Sequence, residues 1–233
     1  MKRLIALDLD NTLAPVGQPI MPETIALLRR LESRGDILAI CSGKPTYYLC
    51  GLLRQVSLQH PILLGENGAV LQFGVQLPPE TFHILPYSPA AKASIALLKT
   101  HLTDRLPHLW YQPNLVGLTP FPVTEAEFDT IEQCIRELQD QLSDITVYRH
   151  ADSFDIMPSN LHKGAGLHYL GDLLTIPPER TIAVGDGPND YPMFQYAGHG
   201  VGIGSVDSAQ VDRVFVTIDE ALRYLLAMQE PHI

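Results

Sequence analysis

LIALDLDNTL, residues 4–13, is the stretch on which the rest of the chain turns. Its first four residues are apolar without alternation, the pattern of a strand buried on both faces. Asp8 and Asp10 then stand where that strand ends. Working outward, the same style recurs. Pro22 opens a helix in which Ile25, Leu27, Leu28 and Leu31 form an apolar stripe, and Gly35 stops it. DILAIC (36–41) is a second buried strand, Pro45 marks the start of another helix, and PILLG (61–65) is a third strand. Strands alternating with helices imply βαβ units and a parallel sheet. NGAVLQFGVQL (67–77) changes style and reads as a hairpin about Phe73 and Gly74.

Pro78, Pro79, Pro86 and Pro89 crowd the next segment, as linkers often do. Beyond them the order helix, strand, strand occurs twice: 89–102, 109–112 and 115–121, then 125–142, 145–149 and 153–157. The βα style resumes with a helix at 163–174, a buried strand at 180–184, a loop and helix at 187–197, and a last helix to Met228. The predicted fold is therefore α/β. A Rossmann-like parallel sheet core is formed by residues 1–80 and 161–233, with an inserted α+β domain (αββαββ) at 81–160.

Composition narrows the function. With 233 residues, 45% of them hydrophobic and 18% charged, the chain can bury a sizeable core and is not disordered. Sixteen Lys and Arg against 26 Asp and Glu give a net charge of −10, which opposes a nucleic-acid partner. The apolar runs are too short for a membrane span. Lys2 and Arg3 are followed by apolar residues only from Leu4 to Leu7, so a secretion signal is not expected. Cys41, Cys50 and Cys134 form no CxxC and read as reduced thiols in a cytoplasmic protein.

In an open parallel sheet, ligands bind outside the carboxyl ends of the strands. Asp8 and Asp10 follow the first strand there, Ser42 the second, and Asp186 and Asp190 the strand RTIAV; Lys163 opens the helix after the insertion. Carboxylates gathered in one place repel, so they normally share a cation, and an all-oxygen ligand set points to Mg²⁺. Lys163 and Ser42 then suit a phosphoryl group, one as a point charge and the other as a hydrogen-bond donor.

DLDNTL (8–13), ICSGK (40–44), Lys163-Gly164 and GDGPND (185–190) together resemble the four motifs of the haloacid dehalogenase-like phosphatases. ENGA (66–69) and the position of the insertion resemble the Cof-type branch, which includes phosphoglycolate and sugar-phosphate phosphatases and the phosphomannomutases. The resemblance implies an Mg²⁺-dependent phosphatase acting on a small-molecule phosphate ester, with the insertion as a substrate-selecting cap. Asp8 would be the nucleophile that becomes an aspartyl phosphate, and Asp10 the general acid and base. Asp8, the backbone carbonyl of Asp10, and Asp186 would hold the metal, with Asp190 acting through water or one layer back. Ser42, the backbone around Gly43, and Lys163 would hold the phosphoryl oxygens.

Some positions depart from that family's pattern. Asn11 stands where Gly is commonest, Lys44 replaces an arginine, and IGSV (203–206) lacks a frequent asparagine. Residues 81–160 carry five basic side chains (Lys92, Lys99, Arg105, Arg136, Arg149) and ten acidic ones. That net −5 favours a neutral leaving group, with Arg149 the residue best placed to reverse it locally. HGVGIG (199–204) reads as structural glycines, His162 as a solvent-facing helix start, and Asp36 as a strand-entry residue. Trp110, Tyr111 and Phe121 read as packing under helices, and Glu125, Glu127, Asp129 and Glu132 as a solvated helix face and first turn. Paired Cys/His spacings are absent, which argues against zinc. A phosphomutase would use the same two aspartates; a phosphoaspartate receiver or a silent binding module would not need Asp10.

Overall fold

The computed structural model describes residues 2–228. In chain order the elements are β1 (Leu4–Asp8), α1 (Pro22–Ser33), β2 (Ile37–Cys41), α2 (Thr46–Val56), β3 (Ile62–Gly65), β4 (Val70–Phe73) and β5 (Phe82–Ile84). Then come α3 (Pro89–Arg105), β6 (Trp110–Gln112), β7 (Thr119–Phe121), α4 (Glu125–Glu137), β8 (Ile145–Arg149) and β9 (Phe154–Pro158). The chain closes with α5 (Lys163–Leu174), β10 (Thr181–Gly185), α6 (Tyr191–Tyr196), β11 (His199–Ile203), β12 (Arg213–Phe215) and α7 (Ile218–Ala227). Two compact units result. One runs to His83 and resumes at His162; the other is Ile84–Leu161.

The first unit is built on an eight-stranded sheet of order β12-β11-β10-β1-β2-β3-β4-β5. β1 lies at its centre and pairs in parallel with both neighbours, Leu4–Leu7 against Thr181–Val184 and Leu4–Asp8 against Ile37–Cys41. All five of its residues are buried, as expected of a strand covered on both faces. Ile5 and Leu7 share one core with Leu27, Leu28 and Leu31 of α1, Leu49 and Leu53 of α2, and Leu222 and Leu225 of α7. Each such side chain stabilises the fold by roughly 1.5–3 kcal/mol through burial. Before β1 starts, Arg3 donates to both carboxylate oxygens of Asp36 (2.8 and 2.7 Å) and to the carbonyl of Leu225. Asp36 is therefore one half of a buried bidentate ion pair.

The hairpin lies elsewhere than the sequence suggests. The reversal is at 66–69, between β3 and β4, which pair antiparallel with Gly65 opposite Val70. Three consecutive residues there, Glu66, Asn67 and Gly68, have φ of +51°, +52° and +85°. At Phe73–Gly74 the chain instead leaves the sheet, and the next strand comes at 82–84. The stretch 75–77 forms no strand, and Leu77 is 66% exposed.

In the second unit the hairpins β6–β7 and β8–β9 are joined through Leu118 and Ile156, which exchange two backbone hydrogen bonds of 3.0 Å. Leu98 and Leu102 of α3 and Phe128, Ile131 and Cys134 of α4 form a core with Leu118, Phe154 and Ile156. α3 runs on to Arg105, and α4 stops at Glu137, with turns over 138–141. Trp110 does not pack under a helix. It is 58% exposed and meets its cross-strand partner Phe121 edge-on at 5.1 Å, while Tyr111, on the opposite face, packs against the core. Glu127 stands in the first turn of α4, as the sequence suggests, but is buried there and not solvated. It forms a capping box with Thr124 and accepts from the N–H groups of Val123 and Thr124. Arg149 pairs with Glu125 and Glu132 and lies over the ring of Phe128. No helix among the described residues is long and apolar enough to cross a membrane.

Candidate active site

The parallel register places the carboxyl ends of β10, β1 and β2 side by side. Asp8 ends the central strand opposite Cys41, Ser42 follows on one side, and Asp186 follows β10 on the other. Lys163, first residue of α5, is brought to the same place. Its Nζ donates to Oδ1 of Asp8 at 2.5 Å and to Oδ1 of Asp190 at 2.7 Å. All three side chains are buried.

Backbone geometry fixes each member. Asp190 lies in the short helical turn 188–190, and its Oδ2 accepts from the N–H groups of Asp186 (3.0 Å) and Gly187 (3.2 Å). A side chain at residue 185 would forbid this, since a Cβ there would lie 2.4 Å from that oxygen; hence Gly185. Thr12 donates to Oδ1 of Asp186 at 3.2 Å. On the lysine side, a Cβ at Gly166 would sit 2.5 Å from the carbonyl oxygen of Gly68, so the first turn of α5 rests directly on the 66–69 reversal. His162 is the N-cap of α5, its Nδ1 accepting from the N–H of Ala165 at 3.2 Å, and burial lowers its pKa in keeping with that acceptor role. It is a cap, not a solvent-facing start.

The same reversal grips the loop after β2. Asn67 N–H donates to the carbonyl of Ser42 and Glu66 N–H to that of Lys44. Ser42 is buried, and its Oγ accepts from the N–H of Lys44 at 3.1 Å; Gly43 lies between them. Asp10 sits on the turn after β1, where Asn11 has φ +61°, a conformation asparagine tolerates. Its carboxylate is partly exposed, 3.9 Å from the ammonium of Lys44.

Electrostatics describe a site short of positive charge. Burial pushes Asp8 up to about 7; Lys163 works against the rise, and Asp190 and Asp186 add to it. Burial and then Asp190 also raise Asp186. Burial disfavours the charge on Lys163, but Asp8 and Asp190 outweigh it and hold the ammonium protonated. One ammonium faces three carboxylates whose ligand oxygens lie within 4.8 Å of one another. A hard divalent cation with oxygen ligands at about 2.1 Å fits that donor set and would supply the missing charge.

The structure thus gathers Asp8, Asp186, Asp190 and Lys163 into one cluster and puts Asp10, Ser42 and Gly43 on the loops that leave β1 and β2. Thr12 and the 66–68 backbone belong to the site beyond the residues that the sequence assigns to it, and Lys44, which the sequence marks only as a departure from the family's arginine, faces Asp10. Thr12 lies inside DLDNTL, Lys44 inside ICSGK and the turn inside ENGA (66–69); these motifs are the available signal, although the 66–68 contacts themselves are made by main chain.

Comparison with known proteins gives a consistent picture. The sequence model of the haloacid dehalogenase-like hydrolases matches residues 5–95 and 119–212. The chain is 25% identical to the 5-amino-6-(5-phospho-D-ribitylamino)uracil phosphatase YwtE of Bacillus subtilis, over 92% of each chain. It is 25% identical to the HMP-PP phosphatase of Cronobacter sakazakii, over 88% of this chain and 85% of that one. Among solved structures, a haloacid dehalogenase-like hydrolase from Bacteroides thetaiotaomicron superposes with a TM-score of 0.79 at 19% identity, covering 97% of this chain and all of the other.

Proposed function

Because the chain belongs to the haloacid dehalogenase-like hydrolases, we propose that it is an Mg²⁺-dependent phosphatase that hydrolyses a small phosphorylated metabolite through an aspartyl phosphate on Asp8. The observation that carries this reading is the buried Lys163 ammonium shared by Asp8 and Asp190, with Asp186 beside them. In this reading the oxygen of Asp8 that Lys163 does not hold, Oδ2, is the one that attacks phosphorus.

Asp8 and Asp186, with the backbone carbonyl of Asp10, would hold Mg²⁺. Asp190 has three hydrogen bonds on its two oxygens already and serves to fix Lys163 and the 186–187 backbone. When bound, the metal offsets the repulsion between an anionic nucleophile and an anionic ester. Ser42 takes one hydrogen bond from Lys44 N–H and keeps its own hydroxyl hydrogen to donate to a phosphoryl oxygen, next to the backbone of Gly43. Lys163 supplies charge to the same group. As Asp8 Oδ2 bonds to phosphorus, the ester P–O bond breaks and Asp10 gives its proton to the leaving alkoxide. Asp10 then takes a proton from the water that attacks the aspartyl phosphate, which releases phosphate and restores Asp8.

The second unit, 84–161, is the substrate-selecting cap in this reading. Four of its five basic side chains are already engaged: Lys99 over Tyr111, Arg105 with Glu137, Arg136 with Glu132, and Arg149 with Glu125 and Glu132. That supports a neutral leaving group, a sugar or polyol, and the name of the Bacillus relative includes a phosphorylated ribityl chain. The free, buried thiols of Cys41, Cys50 and Cys134 suit a reducing compartment such as the cytoplasm. The test is phosphate release from a panel of esters with Mg²⁺. Monophosphorylated sugars and polyols are expected to lead, and clear superiority of phosphoglycolate or a bisphosphate would overturn the assignment.

A further inference from the structure

Lys44 and Asp10 form a pair that folding does not require. Their charged groups are 3.9 Å apart and the side chains 28% and 30% exposed. Half-solvated pairs of this kind contribute little to stability.

Yet both backbones are pinned. The N–H of Lys44 donates to Ser42 Oγ and its carbonyl accepts from Glu66 N–H. A Cβ at Gly65 would lie 2.9 Å from that same carbonyl, so the loop is pressed onto β3. On the other side, Asn11 N–H donates to the carbonyl of Ala14 at 2.7 Å, and the N–H groups of Leu13 and Ala14 close onto Leu9. What remains adjustable is the torsion of the two side chains. The oxygen of Asp10 that the cation approaches at 3.9 Å is Oδ2.

We propose that Lys44 is a positioning residue for the acid step: its charge holds the Asp10 carboxylate in the orientation from which the other oxygen protonates the leaving group. Resting on the acid role assigned to Asp10, this predicts a dependence on the leaving group and not on the phosphoryl group. Displacements of about 1 Å in such groups cost on the order of a hundredfold in rate. An ester whose leaving group is stable as an anion escapes that cost.

The experiment compares kcat/KM for 4-nitrophenyl phosphate with that for an alkyl monophosphate, using the full chain with Mg²⁺. This parameter covers the steps through phosphoryl transfer to Asp8, so water attack does not enter. Lys44→Met should lose about tenfold or more on the alkyl ester and less than about threefold on the nitrophenyl ester, and Lys44→Arg should recover most of the loss. Retained nitrophenyl activity certifies the fold, and Lys44→Gln repeats the comparison if Lys44→Met does not fold. Equal losses on the two esters overturn the proposal, as does failure of Lys44→Arg to rescue. Asp10→Asn separates the two levels. If it treats both esters alike, the acid role itself falls; if it discriminates and Lys44→Met does not, only the positioning role falls.

Discussion

The Nζ of Lys163 lies 2.5 Å from Oδ1 of Asp8, with both side chains sealed from solvent. Burying such a pair costs desolvation that Coulomb attraction only partly offsets, so stability alone is a poor reason to keep it. Its use is to hold a charged nucleophile at a fixed place. Lys163→Met leaves Asp8 and Asp190 without their shared donor. The expected result is a fall of at least about a hundredfold in kcat/KM for any phosphate ester, the kinetic equivalent of a few kcal/mol. A variant within about threefold of wild type would remove Lys163 from the site.

Asp186 and Asp190 should separate under metal titration. Asp190 spends its oxygens on Lys163 and two backbone N–H groups, whereas Asp186 takes a hydroxyl from Thr12 and shares a hydrogen bond with Asp8, its proposed fellow ligand. Asp186→Asn should therefore raise the Mg²⁺ concentration for half-maximal activity more than Asp190→Asn does. Asp190→Asn should instead show the larger drop in Tm, because it removes one of the two carboxylates around a buried ammonium and disturbs the side chain that holds the 186–187 backbone. The reverse order in both measurements would reassign the ligand.

The elevated Asp8 links metal binding to pH. Its carboxyl titrates at about 7 in the folded chain against an ordinary 3.8. Between those values the metal-free native state keeps a proton that the unfolded chain has lost, so this group's contribution to stability falls as pH rises through the window. Mg²⁺ needs the ionised form and competes with that proton. The rise in Tm on adding Mg²⁺ should accordingly be larger at about pH 8 than at about pH 5.5. Asp8→Asn should flatten the difference, and a wild-type shift independent of pH would contradict it.

Asp10 should divide chemistry from metal binding. Asp10→Asn is expected to slow turnover by at least about two decades, the usual worth of general acid–base help. Its Mg²⁺ titration should stay close to wild type, since the proposed ligand is a backbone carbonyl. A large shift in the metal midpoint would place the side chain itself on the ion.

Much of the architecture was legible because a central parallel strand has one signature. The unalternating Leu4–Leu7 run fixed the buried strand, and polar residues at strand ends could then be placed on one rim. What was not legible depends on main chain and on distant partners. Asn67-Gly68 is a pair suited to positive φ, but Glu66 is not, and the alternating runs on either side of Phe73–Gly74 point to a hairpin there instead. Glu127 reads as a surface acid until Val123 and Thr124 are seen to direct their N–H groups at it. Arg149 reads as available for a substrate anion until Glu132 and Glu125, on a helix 17 and 24 residues earlier, are found to occupy it. Trp110 was expected to pack inward, but the strand parity that buries Tyr111 turns it out.

The central claim is that Asp8 carries the phosphoryl group only transiently. Rapid quenching of wild-type protein mixed with Mg²⁺ and ³²P-labelled acetyl phosphate measures this directly, with hydroxylamine-labile label counted against time. The expected result is labelled protein that decays within seconds as phosphate appears, a longer-lived adduct in Asp10→Asn, and none in Asp8→Asn. A wild-type adduct stable for many minutes and unaltered by Asp10→Asn would contradict the phosphatase and indicate a phosphoaspartate receiver.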